Sequence, residues 1–196
     1  MMKISLVDSR GLGELIPPAE RDFTLVECNV EDKIRAAAEA GFNGVGLNGV
    51  DINKHLSQGH SIEDIVPLLD KYGIPVSEIA FSAEFKYSQG EIREKVFEGA
   101  RKTFSYASLL GCNVIIIGAA ELFETMYDDL THMIRDIGEL CQMASDYGLN
   151  IALEFQGAGK QINNINITRT LLEKANAPNG GLLLDTYHFY QGGSTF

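Results

Sequence analysis

Basic side chains are in short supply: 16 Lys and Arg face 27 Asp and Glu, leaving a formal charge of -11 at pH 7 over 196 residues. Nucleic-acid binding takes most of its affinity from Lys and Arg on phosphates, so this balance argues against a polyanionic partner. Long apolar runs are missing too, and none reaches the ~20 residues that a bilayer span needs. The opening, Met1-Met2-Lys3-Ile4-Ser5-Leu6, lacks the extended apolar block and small-residue cleavage site of a secretory signal. Cysteine is limited to Cys28, Cys112 and Cys141, an odd number without CxxC spacing. Such cysteines read as small buried hydrophobes in a reducing cytoplasm, not as disulfides or zinc ligands. Phosphate-cradling glycine motifs are also lacking. Gly41-Phe-Asn-Gly44-Val-Gly46 sits before and within a strand, where a GxGxxG turn would follow one, and there is no Walker A sequence. Together these absences describe a cytoplasmic protein whose partners are neither nucleic acid nor membrane.

What is present is a repeating unit. Ile4 to Val7 reads as a first strand ending at Asp8, followed by a loop from Ser9 to Glu20 that holds Gly11, Gly13 and Pro17-Pro18. Phe23 to Cys28 is a second apolar run that extends or replaces this strand; the sequence does not choose. Asn29 then caps a helix over Val30 to Ala40, with an apolar stripe at Ile34, Ala37 and Ala38, and Gly41 ends it. Gly44 to Leu47 is the next strand. The pattern returns as a helix from Ser61 to Tyr72 and a strand from Val76 to Phe81. A helix from Glu91 to Leu110 leads to a strand at Val114 to Ile117, and one from Thr125 to Tyr147 leads to Ile151 to Leu153. A shorter helix over Thr168 to Ala175 passes through Pro178 into Leu182 to Leu184.

Helix-ending marks at Gly41, Gly73, Gly111, Gly148 and Ala177-Pro178 recur at roughly the length of one βα unit. Short apolar strands between amphipathic helices predict an α/β fold with a parallel sheet covered by helices. No linker or composition shift marks a second domain, so residues 1–196 read as one. A doubly wound sheet and a (β/α)8 barrel both fit the alternation. Carboxylates at the ends of successive strands, aimed into one mouth, favour a TIM-barrel type, with about six βα units present.

Two of the later strands end in acid. Ile151-Ala-Leu-Glu154-Phe closes on a carboxylate, and Leu182 to Leu184, read as a fully buried strand, is followed directly by Asp185. His188 stands three residues on, in what reads as a loop, ahead of Gly192-Gly193. Ligands collect at the carboxyl ends of strands in α/β folds, so this placement suits a metal or substrate site. The plainer alternative is that Asp185 caps the next helix and His188 is a solvated loop residue.

Ala152-Leu-Glu154-Phe and Gly181-Leu-Leu-Leu-Asp185-Thr-Tyr-His188-Phe-Tyr-Gln-Gly-Gly-Ser194 carry a resemblance to the xylose isomerase-like TIM barrel superfamily. Within it, the chain resembles the sugar (phosphate) isomerase and epimerase branch, which includes ketose 3-epimerases, hydroxypyruvate isomerases and inosose dehydratase-like proteins. The resemblance covers most of the chain. It implies a divalent metal held by Glu, Asp, His and Glu from the ends of strands five to eight. Counted from Ile4, Glu154 closes strand five and Asp185 strand six, so these two would be the first two metal ligands. His188 would contact the substrate. The implied ion is manganese first, with magnesium, cobalt or zinc as alternatives, and the implied substrate is a small sugar or sugar-derived molecule. The implied reaction moves a proton next to a carbonyl through an enediolate. The cation polarises the carbonyl, and Glu154 would serve as both ligand and general base, facing a second family glutamate across the substrate. A dehydratase takes the same first step and then expels a hydroxyl.

The same resemblance exposes a gap. The metal-binding histidine of strand seven and glutamate of strand eight have no counterpart, because the chain ends in the loop after strand six. His55, His60 and His132 do not stand in: the first two lie in the polar segment before the Ser61 helix, and the third reads as mid-helix. Of the polar groups near the expected mouth, Glu84, Glu121, Lys160, Asn163 and Asn164, only Lys160 and Asn164 are kept as candidate substrate contacts. Three functions are then open. One is a metal-dependent sugar isomerase or epimerase. Another is a truncated barrel, without strands seven and eight, that binds or assembles but does not catalyse. The third is the DNA-repair endonuclease branch of the superfamily, which the acidic charge opposes. Six strands cannot close a barrel, and the two open edges predict a homo-oligomer unless the Ser9 to Arg21 loop covers the gap.

Overall fold

Strands and helices alternate through the computed structural model, which describes residues 5–6, 29–82, 90–118, 130–159 and 161–195. Packing divides the chain into two compact units, Met1–Ile79 with Leu109–Cys112, and Ala80–Ser108 with Asn113–Phe196.

In the first unit, β1 (Ser5–Leu6) runs parallel to β2 (Gly44–Asn48), Ser5 opposite Gly44 and Leu6 opposite Val45. α1 (Val30–Glu39) begins where Asn29 accepts the Asp32 amide at 2.8 Å, and it buries Val30, Ile34 and Ala37 along one stripe. β2 is buried along its whole length. Its first residue must be glycine, because a Cβ on Gly44 would stand 2.9 Å from the Ser77 Cβ of β3 (Val76–Ser82). α2 (Gly49–Ser57) follows β2 at once, before a 3-10 turn (Ile62–Asp64) and α3 (Ile65–Tyr72). The sequence reads as a polar segment where α2 stands, since the helix buries only Ile52 and His55 and shows no apolar stripe. Lys33 of α1 is 2% exposed, and its ammonium lies 2.7 Å from Asp51 of α2.

The second unit takes up the end of β3 and continues through α4 (Gly90–Leu109), β4 (Val114–Gly118), α5 (Thr131–Asp146) and β5 (Asn150–Glu154). It closes with α6 (Ile165–Ala175), β6 (Gly180–Leu183) and α7 (Thr186–Gln191). β4, β5 and β6 lie side by side in chain order and parallel, with Gly118 opposite Glu154 and Glu154 opposite Leu183. Ile115, Ile117, Ile151 and Leu153 are fully buried, while Val114, Ile116 and Ala152 on the opposite face are only half-buried. α5 packs on β5 and α6, and the Asn179 side-chain amide ties this layer by donating to Cys141 O at 2.8 Å and Leu149 O at 2.9 Å.

Three local readings need correction. Leu182 to Leu184 is not a fully buried strand: Leu182 and Leu183 are half-buried, and Leu184 is 42% exposed. The cause is coverage, because among the described residues β6 pairs with β5 alone and α7 buries none of its side chains. α6 starts earlier than the sequence suggests, at Ile165, because Asn164 supplies the cap. His132 is the second residue of α5 and not a mid-helix residue.

Cys112 and Cys141 are buried thiols, as read, and burial pushes the Cys141 thiol up to about 11. Asp8, the Ser9 to Glu20 loop, the Phe23 to Cys28 run, Glu84, Glu121, Lys160 and residues 125–129 lie outside the described residues. No described helix is long and apolar enough to cross a membrane. The architecture is α/β of the TIM-barrel type, with six described strands against the eight of a closed barrel.

Candidate functional site

β5 and β6 deliver the acids. Glu154 is the last residue of β5, and Asp185 follows β6 after Leu184. Asp185 is the N-cap of α7: its Oδ1 accepts the Tyr187 amide at 2.7 Å and the His188 amide at 3.2 Å. The capping reading of Asp185 therefore holds, and the cap uses one carboxylate oxygen and not the other. That cap also explains why His188 sits on a helix and not on a loop.

Glu154, Asp185 and His188 converge. Each offers one ligand atom, and these atoms all lie within 4.8 Å of one another. All three side chains are half-buried. Burial holds the Glu154 carboxyl above its ordinary pKa of 4.5; the His188 ring opposes that rise and the Asp185 charge adds to it. The result is a carboxylate that takes up a proton more readily than an exposed glutamate does.

Two glycines shape this corner, and the sequence reading singled out neither. Gly118, at the end of β4, faces Glu154 across the ladder; a Cβ there would meet Gln156 Nε2 at 3.3 Å and Glu154 Oε2 at 3.7 Å. Its strand-end position beside Glu154 is a signal that could have found it. Gly157, in the segment after β5, donates its amide to His188 Nδ1 at 3.3 Å. Nothing local in the sequence announces that contact, which spans the α6 and β6 unit.

Asn164 caps α6, accepting the Asn166 amide at 3.0 Å and the Ile167 amide at 3.1 Å, while its Nδ2 donates to Asn163 Oδ1 at 2.8 Å. Lys160 is not among the described residues. His55 is buried in α2 with Nε2 3.0 Å from Ser61 O, and its ring stacks on His60 at 4.8 Å. Neither these two histidines nor His132 joins the acidic cluster.

The xylose isomerase-like TIM barrel family model matches residues 34–195. This chain belongs to that family. Among curated proteins it is similar to the 3-dehydroshikimate dehydratase of Pseudomonas aeruginosa, 27% identical over 160 residues that make up 80% of this chain and 24% of that protein. In fold it is similar to a IolI protein crystallised with a zinc atom, with a TM-score of 0.80 and 18% identity over 99% of this chain and 66% of that one. It is also similar to D-psicose 3-epimerase crystallised with D-fructose, with a TM-score of 0.70 and 16% identity over 83% of this chain and 60% of that one. The chain thus spans about a quarter of the length of the curated relatives that it matches. Within this family, epimerases and dehydratases stand side by side as relatives.

Proposed function

We propose that this chain carries a metal-assisted proton-transfer site that acts next to the carbonyl of a small sugar-derived hydroxy ketone, in isomerisation or epimerisation. The observation that carries the reading is the convergence of Glu154, Asp185 and His188 at the carboxyl ends of β5 and β6. Two carboxylates suit a hard or borderline divalent cation, manganese first, with magnesium, cobalt or zinc also compatible, and the imidazole beside them faces the substrate. Their ligand atoms, all within 4.8 Å of one another, are near enough to be drawn onto one cation. Glu154 and Asp185 would hold the ion. When bound, it supplies Lewis-acid polarisation of the substrate carbonyl.

The remaining steps belong to the side chains. Glu154, made more basic by its burial, removes the proton on the carbon next to the carbonyl, and the electron pair moves to the carbonyl oxygen to give an enediolate. Delivery of a proton from water or a second acid on the other face gives the epimer; protonation of the former carbonyl carbon, with the hydroxyl proton passing to the former carbonyl oxygen, gives the isomer. His188 contacts a substrate oxygen. Lys160 and Asn164 are kept as proposed substrate contacts, the latter with its side chain already holding the start of α6.

Dehydration is a second reading, favoured by the similarity to 3-dehydroshikimate dehydratase. It shares the proton abstraction and then expels a hydroxyl from the next carbon. Deuterium exchange at the carbon beside a ketose carbonyl, with manganese present, tests the shared step. With few ligands the cation is held loosely, so slow exchange is expected, and Glu154→Gln should return it to the buffer background. Exchange that is indifferent to Glu154, or absent at saturating manganese, would leave a barrel that binds or assembles without catalysis. An epimer or an unsaturated product then separates the two reactions. Self-association through β6, which among the described residues pairs with β5 alone, is a further proposal that light scattering after size exclusion reads directly.

A further inference from the structure

We propose that Gly157 is a positioning residue of this site, an inference that rests on the proton-transfer reading above. Its amide donates to His188 Nδ1 at 3.3 Å. A ring nitrogen that accepts a hydrogen bond carries no proton, so the neutral imidazole carries its proton on Nε2. His188 therefore presents a donor, which suits a substrate oxygen. A protonated nitrogen does not coordinate a cation, so the ion is left to Glu154 and Asp185.

The missing side chain matters as much as the amide. A Cβ on Gly157 would stand 2.6 Å from Gly192 N, 2.7 Å from Gln191 Cβ and 2.8 Å from His188 O. One on Gly192 would stand 1.8 Å from Asn163 O. Most of these obstacles are backbone, so no change of rotamer relieves them. The segment after β5 and the end of α7 thus meet through two glycines, and Ser194 closes the same contact by accepting the Ile165 amide on its Oγ at 3.1 Å. Asp185 fixes where α7 begins; Gly157 fixes which nitrogen of His188 bears the proton. A larger residue at either glycine lifts α7 away from the segment and frees the ring to exchange tautomers.

Ring 15N spectra of the metal-free full chain, labelled at histidine, test this at neutral pH without recourse to activity. His188 Nδ1 should resonate as an unprotonated, pyridine-type nitrogen and Nε2 as a protonated, pyrrole-type one, and added magnesium should leave that pattern in place. In Gly157→Ala and in Gly192→Ala the two resonances should move toward a common average. A wild-type ring protonated on Nδ1 overturns the proposal, even where neither variant folds. So do folded variants with unchanged ring shifts. The proton-transfer reading fails separately: a correct tautomer with no Glu154-dependent exchange counts against the reaction, and a wrong tautomer with such exchange counts against Gly157 alone.

Discussion

The two units solve the same local problem, ending a parallel strand and starting a helix at once, with different remainders. In the first, Asn48 closes β2 and caps α2, its Oδ1 accepting the Val50 amide at 2.8 Å and the Asp51 amide at 3.0 Å. Asp51 answers by accepting the Asn48 amide at 3.0 Å, and Lys33 neutralises it at 2.7 Å. In the second, Asp185 caps α7 by the same chemistry, yet beside it stand another carboxylate and an imidazole. Among the described residues, no ion pair to Lys or Arg engages Glu154 or Asp185. Capping is common to both corners. What separates the two corners, among the described residues, is a lysine countercharge, present in the first and without a Lys or Arg counterpart in the second.

Removing that countercharge is the strongest way to break the comparison. Lys33→Ala leaves Asp51 without its ammonium and strips the packing of a buried aliphatic stem, a loss of about 2–4 kcal/mol. Urea melts read it, and Lys33→Met should recover the part owed to packing. A cost below ~1 kcal/mol would mean that the pair does not hold α1 to α2. The acidic corner should behave in the opposite manner. Asp185→Asn keeps a good N-cap, so stability should change by no more than about 0.5 kcal/mol. Manganese affinity, followed by calorimetry or by the loss of the free-ion EPR signal, should fall at least ~10-fold. Unchanged affinity would remove Asp185 from the proposed ligand set.

The sequence discloses these two corners unequally. Gly41, Gly73, Gly111 and Gly148 all read as helix ends, and all four adopt the positive φ that stops a helix there. The strands between them are legible because each is a short apolar run with a covered face. α2 is not legible in that way: its sign is the Asn48–Asp51 capping box, and its burial rests on two residues. Glu154 and Asp185 could be picked out because each stands at or just past a strand end, His188 because it follows Asp185 by three residues, and the resemblance named their roles. The approach of Gly157 to Gly192 could not, since it depends on two backbones meeting across a helix and a strand. The exposure of Leu184 is a matter of what covers β6, which lies beyond the residue itself.

Glu154 provides the smallest effect and the sharpest sign. Its carboxyl is held above the ordinary 4.5 by burial first, with His188 opposing and Asp185 adding. The folded state therefore binds this proton more tightly than the unfolded chain does. Its contribution to stability is full below the unfolded value near 4.5 and is lost as pH rises through the raised folded value. Glutamine cannot ionise, so Glu154→Gln escapes that loss. The variant should match wild type at about pH 4 and exceed it at pH 7 by about 0.5–1 kcal/mol, a common gain when a functional site is relieved of an unfavourable charge. Urea midpoints across that range supply the measurement. A variant that is instead weaker than wild type at pH 7, with the gap closing toward pH 4, would show the Glu154 carboxylate to be stabilised by a countercharge, as Asp51 is by Lys33, and the second corner would be structural like the first.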